Sequence, residues 1–157
     1  MAFFKRILIA NRGEIAVRII RTAKRMGLET VAVFSEADRG APHVRLADFA
    51  HCIGDSPVDQ SYLVTEKILQ VAKDFHAEAI HPGYGFLSEN AGFVEAVQAA
   101  GLTFVGPDVH AIKVMGDKIE SKALAKSAGV SCVPGSDGAV SDIDEAMAEA
   151  EKIGYPV

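Results

Sequence analysis

Short, almost uninterrupted apolar runs alternate along this chain with longer stretches in which apolar residues return every three or four positions. Few folds accommodate that alternation. Ile7-Leu8-Ile9-Ala10 is one such run, and Thr30-Val31-Ala32-Val33-Phe34 is another. Strands that are apolar on both faces belong inside a parallel sheet covered by helices on each side. Between these runs, Glu14 to Met26 carries Ala16, Ile19, Ile20, Ala23 and Met26 at helical spacing, and Gly27 follows as a candidate cap. The pattern continues with a short helix at 43–50, a short strand at 51–54 and a helix at 62–75 with Ser61 as its expected N-cap. A strand at 78–81, a helix at 91–100 and a strand at 103–105 follow. The order predicts an α/β fold, a parallel sheet flanked by helices, with right-handed crossovers.

Beyond Pro107 the character changes. Ala111 to Ala128 reads as one long helix with Lys118, Lys122 and Lys126 in a row along it. A loop at 133–138, an Ala- and Glu-rich helix at 142–153 and the beginning of a strand at 154–157 come after it. A chain that stops as a strand begins is expected to be a piece of a longer protein.

Composition removes several function classes. A formal net charge of −5 over 157 residues gives no electrostatic case for nucleic acid as a partner. No apolar stretch approaches the roughly 20 residues of a membrane-spanning helix, and no leader pattern is visible at the start. Cys52 and Cys132 stand in neither a metal-binding nor a CxxC spacing. They read as reduced thiols, which points to the cytoplasm. The histidines at 43, 51, 76 and 110 show no metal spacing either.

The chemistry-bearing candidates sit where strands end. His81-Pro82-Gly83-Tyr84-Gly85-Phe86-Leu87-Ser88-Glu89-Asn90 follows an apolar strand with two glycines, a proline and an aromatic hydroxyl. Glycine permits positive φ or a close approach to the main chain, and open α/β sheets place their ligands at the carboxyl ends of strands. His81 itself reads first as a hydrogen-bonded core histidine. Asn11-Arg12-Gly13-Glu14 lacks the glycines of a dinucleotide fingerprint. It is either a structural turn with Glu14 suiting the helix dipole, or a place where Arg12 or the first helical amides face an anion. Arg18, Arg21, Lys24 and Arg25 form the polar side of the first helix, and Arg18 with Arg21 make a candidate interface. Lys118 follows Met115-Gly116-Asp117. It is either part of a solvated stripe paired with Asp117 and Glu120 or a cation reaching toward phosphate, with Gly116 marking a close approach.

Taken together, these segments resemble the biotin carboxylase family. Ile7 to Ala16 is similar to the family's opening, His81 to Asn90 to its HPGYGFLSEN loop, and Met115-Gly116-Asp117-Lys118 to its MGDK element. Val133-Pro134-Gly135 and Ile153-Gly154-Tyr155-Pro156-Val157 resemble further family segments in the same order. The likeness is to subunits serving acyl-CoA carboxylases (acetyl-, propionyl- or methylcrotonyl-CoA) more than to pyruvate carboxylase.

The resemblance implies an ATP- and bicarbonate-dependent ligase that carboxylates biotin on a carrier protein through carboxyphosphate. It implies a Rossmann-like first domain over 1–110 and the first helices of an ATP-grasp domain over 111–157. Lys118 matches a lysine that contacts ATP phosphates, Tyr84 and Gly85 match the loop near biotin, and Arg18 and Arg21 match a helix at a homodimer interface. The implied cofactors are ATP, Mg2+ and carrier-borne biotin, with the Mg2+ ligands beyond this sequence. The implied partners are a biotin carboxyl carrier protein or domain and a carboxyltransferase subunit. The family's lid, second phosphate-contacting lysine and metal-binding carboxylates have no counterpart here, so this polypeptide alone is expected to be inactive and to hold ATP weakly. Two other readings remain: an autonomous, non-catalytic interaction module, and a piece of another ATP-grasp ligase or of pyruvate carboxylase.

Overall fold

A computed structural model describes residues 4–136 and 138–156. The chain divides into two compact units, Met1–Val109 and His110–Val157. In the first, strands β1 (Arg6–Ile9), β2 (Glu29–Ser35), β3 (Phe49–Gly54), β4 (Ala79–His81) and β5 (Thr103–Phe104) form one sheet in the order β3-β2-β1-β4-β5. Every pairing is parallel. Four helices join them: α1 (Gly13–Arg25), the short α2 (Pro42–Leu46), α3 (Thr65–Asp74) and α4 (Ala91–Ala99).

The apolar runs sort themselves by alternation. Ile7 and Ile9 point to one face of β1, where they pack with Ala16, Ile19, Ile20 and Ala23 of α1. Leu8 and Ala10 point to the other, where they join Ile68, Val71 and Ala72 of α3 and Phe93 and Val97 of α4. Successive side chains of a strand leave on opposite faces, so a central strand must be apolar throughout. That is what the sequence of β1 shows.

Several local expectations change. The short helix expected at 43–50 ends at Leu46, and the strand expected at 51–54 already begins at Phe49. Ser61 does not cap α3, which begins later, after Val64. Ser61 is buried, and its hydroxyl donates to the Pro57 carbonyl at 2.7 Å, closing a turn instead of starting a helix. The single long helix expected over 111–128 is two: α5 (Val109–Gly116) and α6 (Lys118–Ser127). Asp117 stands between them in an extended conformation, and its carboxylate accepts from the amides of Ile119 and Glu120, each at 2.8 Å. A carboxylate that satisfies the orphan amides of a new first turn stabilises a fresh start over continuation.

The last helix, α7 (Ile143–Ile153), is capped in the same way by Asp142, while the Glu145 carboxylate accepts in return from the Ser141 amide at 2.9 Å. Gly154, Tyr155 and Pro156 lie outside any strand. Val157, the end of the expected strand, and Asp137, in the expected 133–138 loop, lie outside the described residues.

Candidate functional site

Strand order decides where a site can form. Connections run one way from β1 to β2 and β3 and the other way to β4 and β5, so the sheet switches direction between β1 and β4. The carboxyl ends of two such neighbours leave a crevice between their loops. Ile9 and His81 are register partners at those ends, and the Ala10 amide donates to the His81 carbonyl at 2.9 Å.

Immediately beyond, Asn11 ties the two loops together. Its Nδ2 donates to the carbonyls of Pro82 at 2.7 Å and Tyr84 at 2.8 Å, and its Oδ1 accepts from the Arg12 amide at 2.9 Å. Asn11 is only 4% exposed, so these bonds stand in for water. With two carbonyls on one side of the amide, only the nitrogen can face them.

Gly83 lies between the clamped carbonyls at φ +69°, and a Cβ there would sit 2.8 Å from the Asn11 Nδ2. Conformation and space both require glycine. Gly85 has φ +64° but no heavy atom within 4 Å of the place a Cβ would take, so its main chain is open to an approaching group. His81, whose pKa is pushed down by burial, accepts the Gly83 amide on Nδ1 at 3.0 Å. It is therefore a hydrogen-bonded histidine, as in the first reading, but only partly buried rather than in the core. Downstream, Asn90 caps α4 through the Phe93 amide at 2.9 Å.

Arg12 has an anion within the unit. Its Nη1 pairs with Asp38 Oδ2 at 3.2 Å, and its guanidinium lies 5.3 Å from the Tyr62 ring centre and 5.6 Å from that of Phe86. Those two rings stack at 5.2 Å with 6° between their planes. Tyr62 donates to Asp38 at 2.7 Å and accepts from the Ser35 amide at 3.1 Å; Ser35 Oγ also donates to Asp38 at 2.9 Å. Burial works to raise the Asp38 pKa, but the bonds from Tyr62, Ser35 and Arg12 outweigh it and leave it lowered. Burial, with the Asp38 hydrogen bond, pushes the Tyr62 phenol well above its ordinary range. The cluster backs the loop at Phe86, which holds φ +47° without being glycine. A bulky residue in that region carries strain that the surroundings must offset.

On the other side of the loop, Tyr84 is 60% exposed, and its hydroxyl donates to Glu14 Oε1 at 2.5 Å. Tyr84 borders a mostly apolar cleft of about 500 Å³, together with Ile15, Arg18, Met26, His81 and Gly83. Arg18 and Arg21 are both exposed on α1 and share a second surface groove with Arg25.

In the second unit, Lys118 is the first residue of α6 and is exposed. Asp117 spends its carboxylate on the helix cap, and among the described residues the Lys118 ammonium has neither an ion pair nor a hydrogen bond. Lys118 and Lys122 line a cleft of about 380 Å³ with Val133, Pro134, Gly135 and Ser136, and Lys122 donates to the Ser136 carbonyl at 2.7 Å. Gly116 does not mark a close approach: it ends α5, and nothing lies within 4 Å of where its Cβ would be. Among the described residues no group of three or more His, Cys, Asp and Glu is placed to hold a metal ion.

The clamp by Asn11, the Asp38–Tyr62 support and the Glu14–Tyr84 bond were not foreseen as site features. The one available signal was position: Asn11 and Asp38 both lie just past the carboxyl ends of adjacent strands.

Comparison with known proteins gives a consistent result. Residues 3–112 match the biotin carboxylase N-terminal domain, and residues 117–157 match the ATP binding domain of the carbamoyl-phosphate synthase L chain. The mitochondrial propionyl-CoA carboxylase alpha chain of Mus musculus is 55% identical over 154 residues, covering 98% of this chain and 21% of that protein. The biotin carboxylase domain dimer of Hydrogenobacter thermophilus 2-oxoglutarate carboxylase, solved with MgADP, ADP and bicarbonate, superposes with a TM-score of 0.91 at 50% identity, over 99% of this chain and 34% of that one. The biotin carboxylase subunit of a pyruvate carboxylase gives 0.82 at 51% identity, over 98% and 34%. The chain thus spans about a fifth of the length of the propionyl-CoA carboxylase chain and a third of the solved ones.

Proposed function

This chain belongs to the biotin carboxylase N-terminal domain family, and from that premise we propose that it supplies the first part of an ATP- and bicarbonate-dependent ligase that carboxylates biotin on a carrier protein. The observation that carries the proposal is the 81–90 loop, fixed by Asn11 at the switch between β1 and β4 with Tyr84 and the Gly85 main chain left accessible. In this reading Tyr84 and Gly85 border the biotin ureido ring, and the clamp sets their position before biotin arrives. Lys118 meets ATP phosphate: an unpaired ammonium with a second lysine in the same cleft fits a polyanion. ATP supplies the phosphoryl group that activates bicarbonate. The Mg2+ ligands lie outside the residues described.

We place the domain boundary between residues 110 and 111, a reading supported by the break between compact units after Val109. Arg18 and Arg21 are assigned to a homodimer interface, supported by their exposure on one helix and by the dimer in the 2-oxoglutarate carboxylase structure. The partners are a biotin carboxyl carrier protein or domain and a carboxyltransferase subunit. The propionyl-CoA carboxylase likeness supports an acyl-CoA carboxylase as the setting. Two free cysteines suit a compartment that keeps thiols reduced, and we place the protein in the cytoplasm, although the mouse relative is named mitochondrial. No helix among the described residues is long and apolar enough to cross a membrane.

The test is a pair of substitutions in the carboxylase containing this chain, read by biotin-dependent ADP release. Lys118→Gln raises KM for ATP and leaves that for biotin; Tyr84→Phe does the reverse. Equal effects of both variants on both substrates would overturn the assignment.

A further inference from the structure

Tyr84 is the most exposed aromatic of the loop, yet its hydroxyl does not point into free solvent. It donates to Glu14 Oε1 at 2.5 Å across 70 residues of sequence. Glu14 sits in the first turn of α1, which is anchored to the sheet by Ala16, Ile19, Ile20 and Ala23, all buried. The carboxylate is thus mounted on the rigid body of the unit, whereas Tyr84 is mounted on a loop. Asn11 fixes the loop main chain at Pro82 and Tyr84 through their carbonyls, while the Tyr84 hydroxyl bonds to Glu14 instead. The ring therefore has two rotatable bonds that Asn11 leaves unset.

We infer that Glu14 is the positioning residue for Tyr84, holding its ring at one orientation over the cleft that the loop borders. The inference rests on the reading that this loop receives biotin. A charged acceptor makes a shorter and stronger bond than a neutral one, and a side chain held in one rotamer before binding loses less entropy when the ligand arrives. The bond also raises the Tyr84 pKa, with the negative charge of Glu14 adding to the effect and Arg18, one turn further along α1, opposing it. Glu14 and Arg18 are the charged groups acting on this hydroxyl. Glu14 does not touch the ligand; it acts through the tyrosine.

Two measurements test this. Ultraviolet titration of the chain separates its three tyrosines once Tyr84→Phe has identified the Tyr84 step. Glu14→Gln moves that step to lower pH; an unmoved step overturns the inference. In the carboxylase containing this chain, Glu14→Ala raises KM for biotin roughly three- to tenfold, the scale of one lost charge-assisted hydrogen bond discounted for exposure. The KM for ATP is unchanged.

Glu14→Gln keeps an acceptor and falls between wild type and Glu14→Ala. The double variant Glu14→Ala/Tyr84→Phe is no worse than Tyr84→Phe alone, because residues acting through one contact are not additive. Full additivity overturns the positioning role, since a general loss of fold would add. A shifted Tyr84 titration with an unchanged KM for biotin in Glu14→Ala also overturns it. If Tyr84→Phe itself leaves KM for biotin unchanged, the reading of the loop as the biotin site is what fails.

Discussion

Replacing Asn11 isolates the tie between the two loops. Asn11→Ala removes two donors at once. The Pro82 carbonyl accepts a bond that is buried, and the Tyr84 carbonyl one that is only partly so. A buried acceptor left without a partner costs about 1–3 kcal/mol, whereas one that water can reach loses only the net worth of its bond, about 0.5–1.5 kcal/mol. Together these give about 1.5–4.5 kcal/mol for the first unit.

Asn11→Asp is the sharper comparison because the two side chains have nearly the same shape. It sets one carboxylate oxygen, in place of Nδ2, against two carbonyl oxygens in a site only 4% exposed, so it costs more than alanine despite filling the space better. Urea unfolding of the first unit measures both costs, and amide exchange at Gly83, whose N–H is held by His81, reports the loop itself. A loss under about 0.5 kcal/mol for Asn11→Ala, within the scatter of ordinary surface substitutions, would refute the reasoning. So would an aspartate variant at least as stable as the alanine one.

Three more outcomes follow from the same geometry. Gly83→Ala costs more than Gly85→Ala in urea unfolding: both suffer the left-handed conformation, about 1–2 kcal/mol, but only Gly83 also drives a methyl toward Asn11; equal costs would remove the steric argument. Tyr62→Phe costs about 1–3 kcal/mol because it leaves the buried Ser35 amide without an acceptor, and a neutral result in the same assay would show that the amide finds another partner. Stability falls as pH drops below the ordinary histidine value of about 6.5. Burial lowers the folded-state pKa of His43 and of His81, so the unfolded chain binds more protons in that window and acid favours it. For His43, which has Asp38 and Arg12 among its charged neighbours, His43→Gln flattens the slope of unfolding free energy against pH between about 5 and 6.5; an unchanged slope would assign the effect elsewhere.

The kinds of element in this chain were legible because burial on two faces and burial on one stripe leave different periods in the sequence. β1 is apolar throughout as a central strand must be, and α1 carries its apolar residues on one side because only that side meets the sheet. The break at Asp117 was also written locally. Asp117 stands three residues before Glu120, which is a helix-start spacing, but the longer apolar period through Ala128 masks it.

The strand order was beyond the reach of any local pattern, and the site depends on it. Because β4 and not β3 lies beside β1, Asn11 meets carbonyls 71 and 73 residues away, and Glu14 meets a hydroxyl 70 away. The sequence by itself named a loop with two glycines and a tyrosine, since those residue types carry their backbone demands with them. Which side chains hold that loop, and that Arg12 is already neutralised by Asp38, was decided by tertiary packing. Hydrogen bonds and ion pairs act over about 3 Å, and only the folded sheet brings residues so distant in sequence within that range.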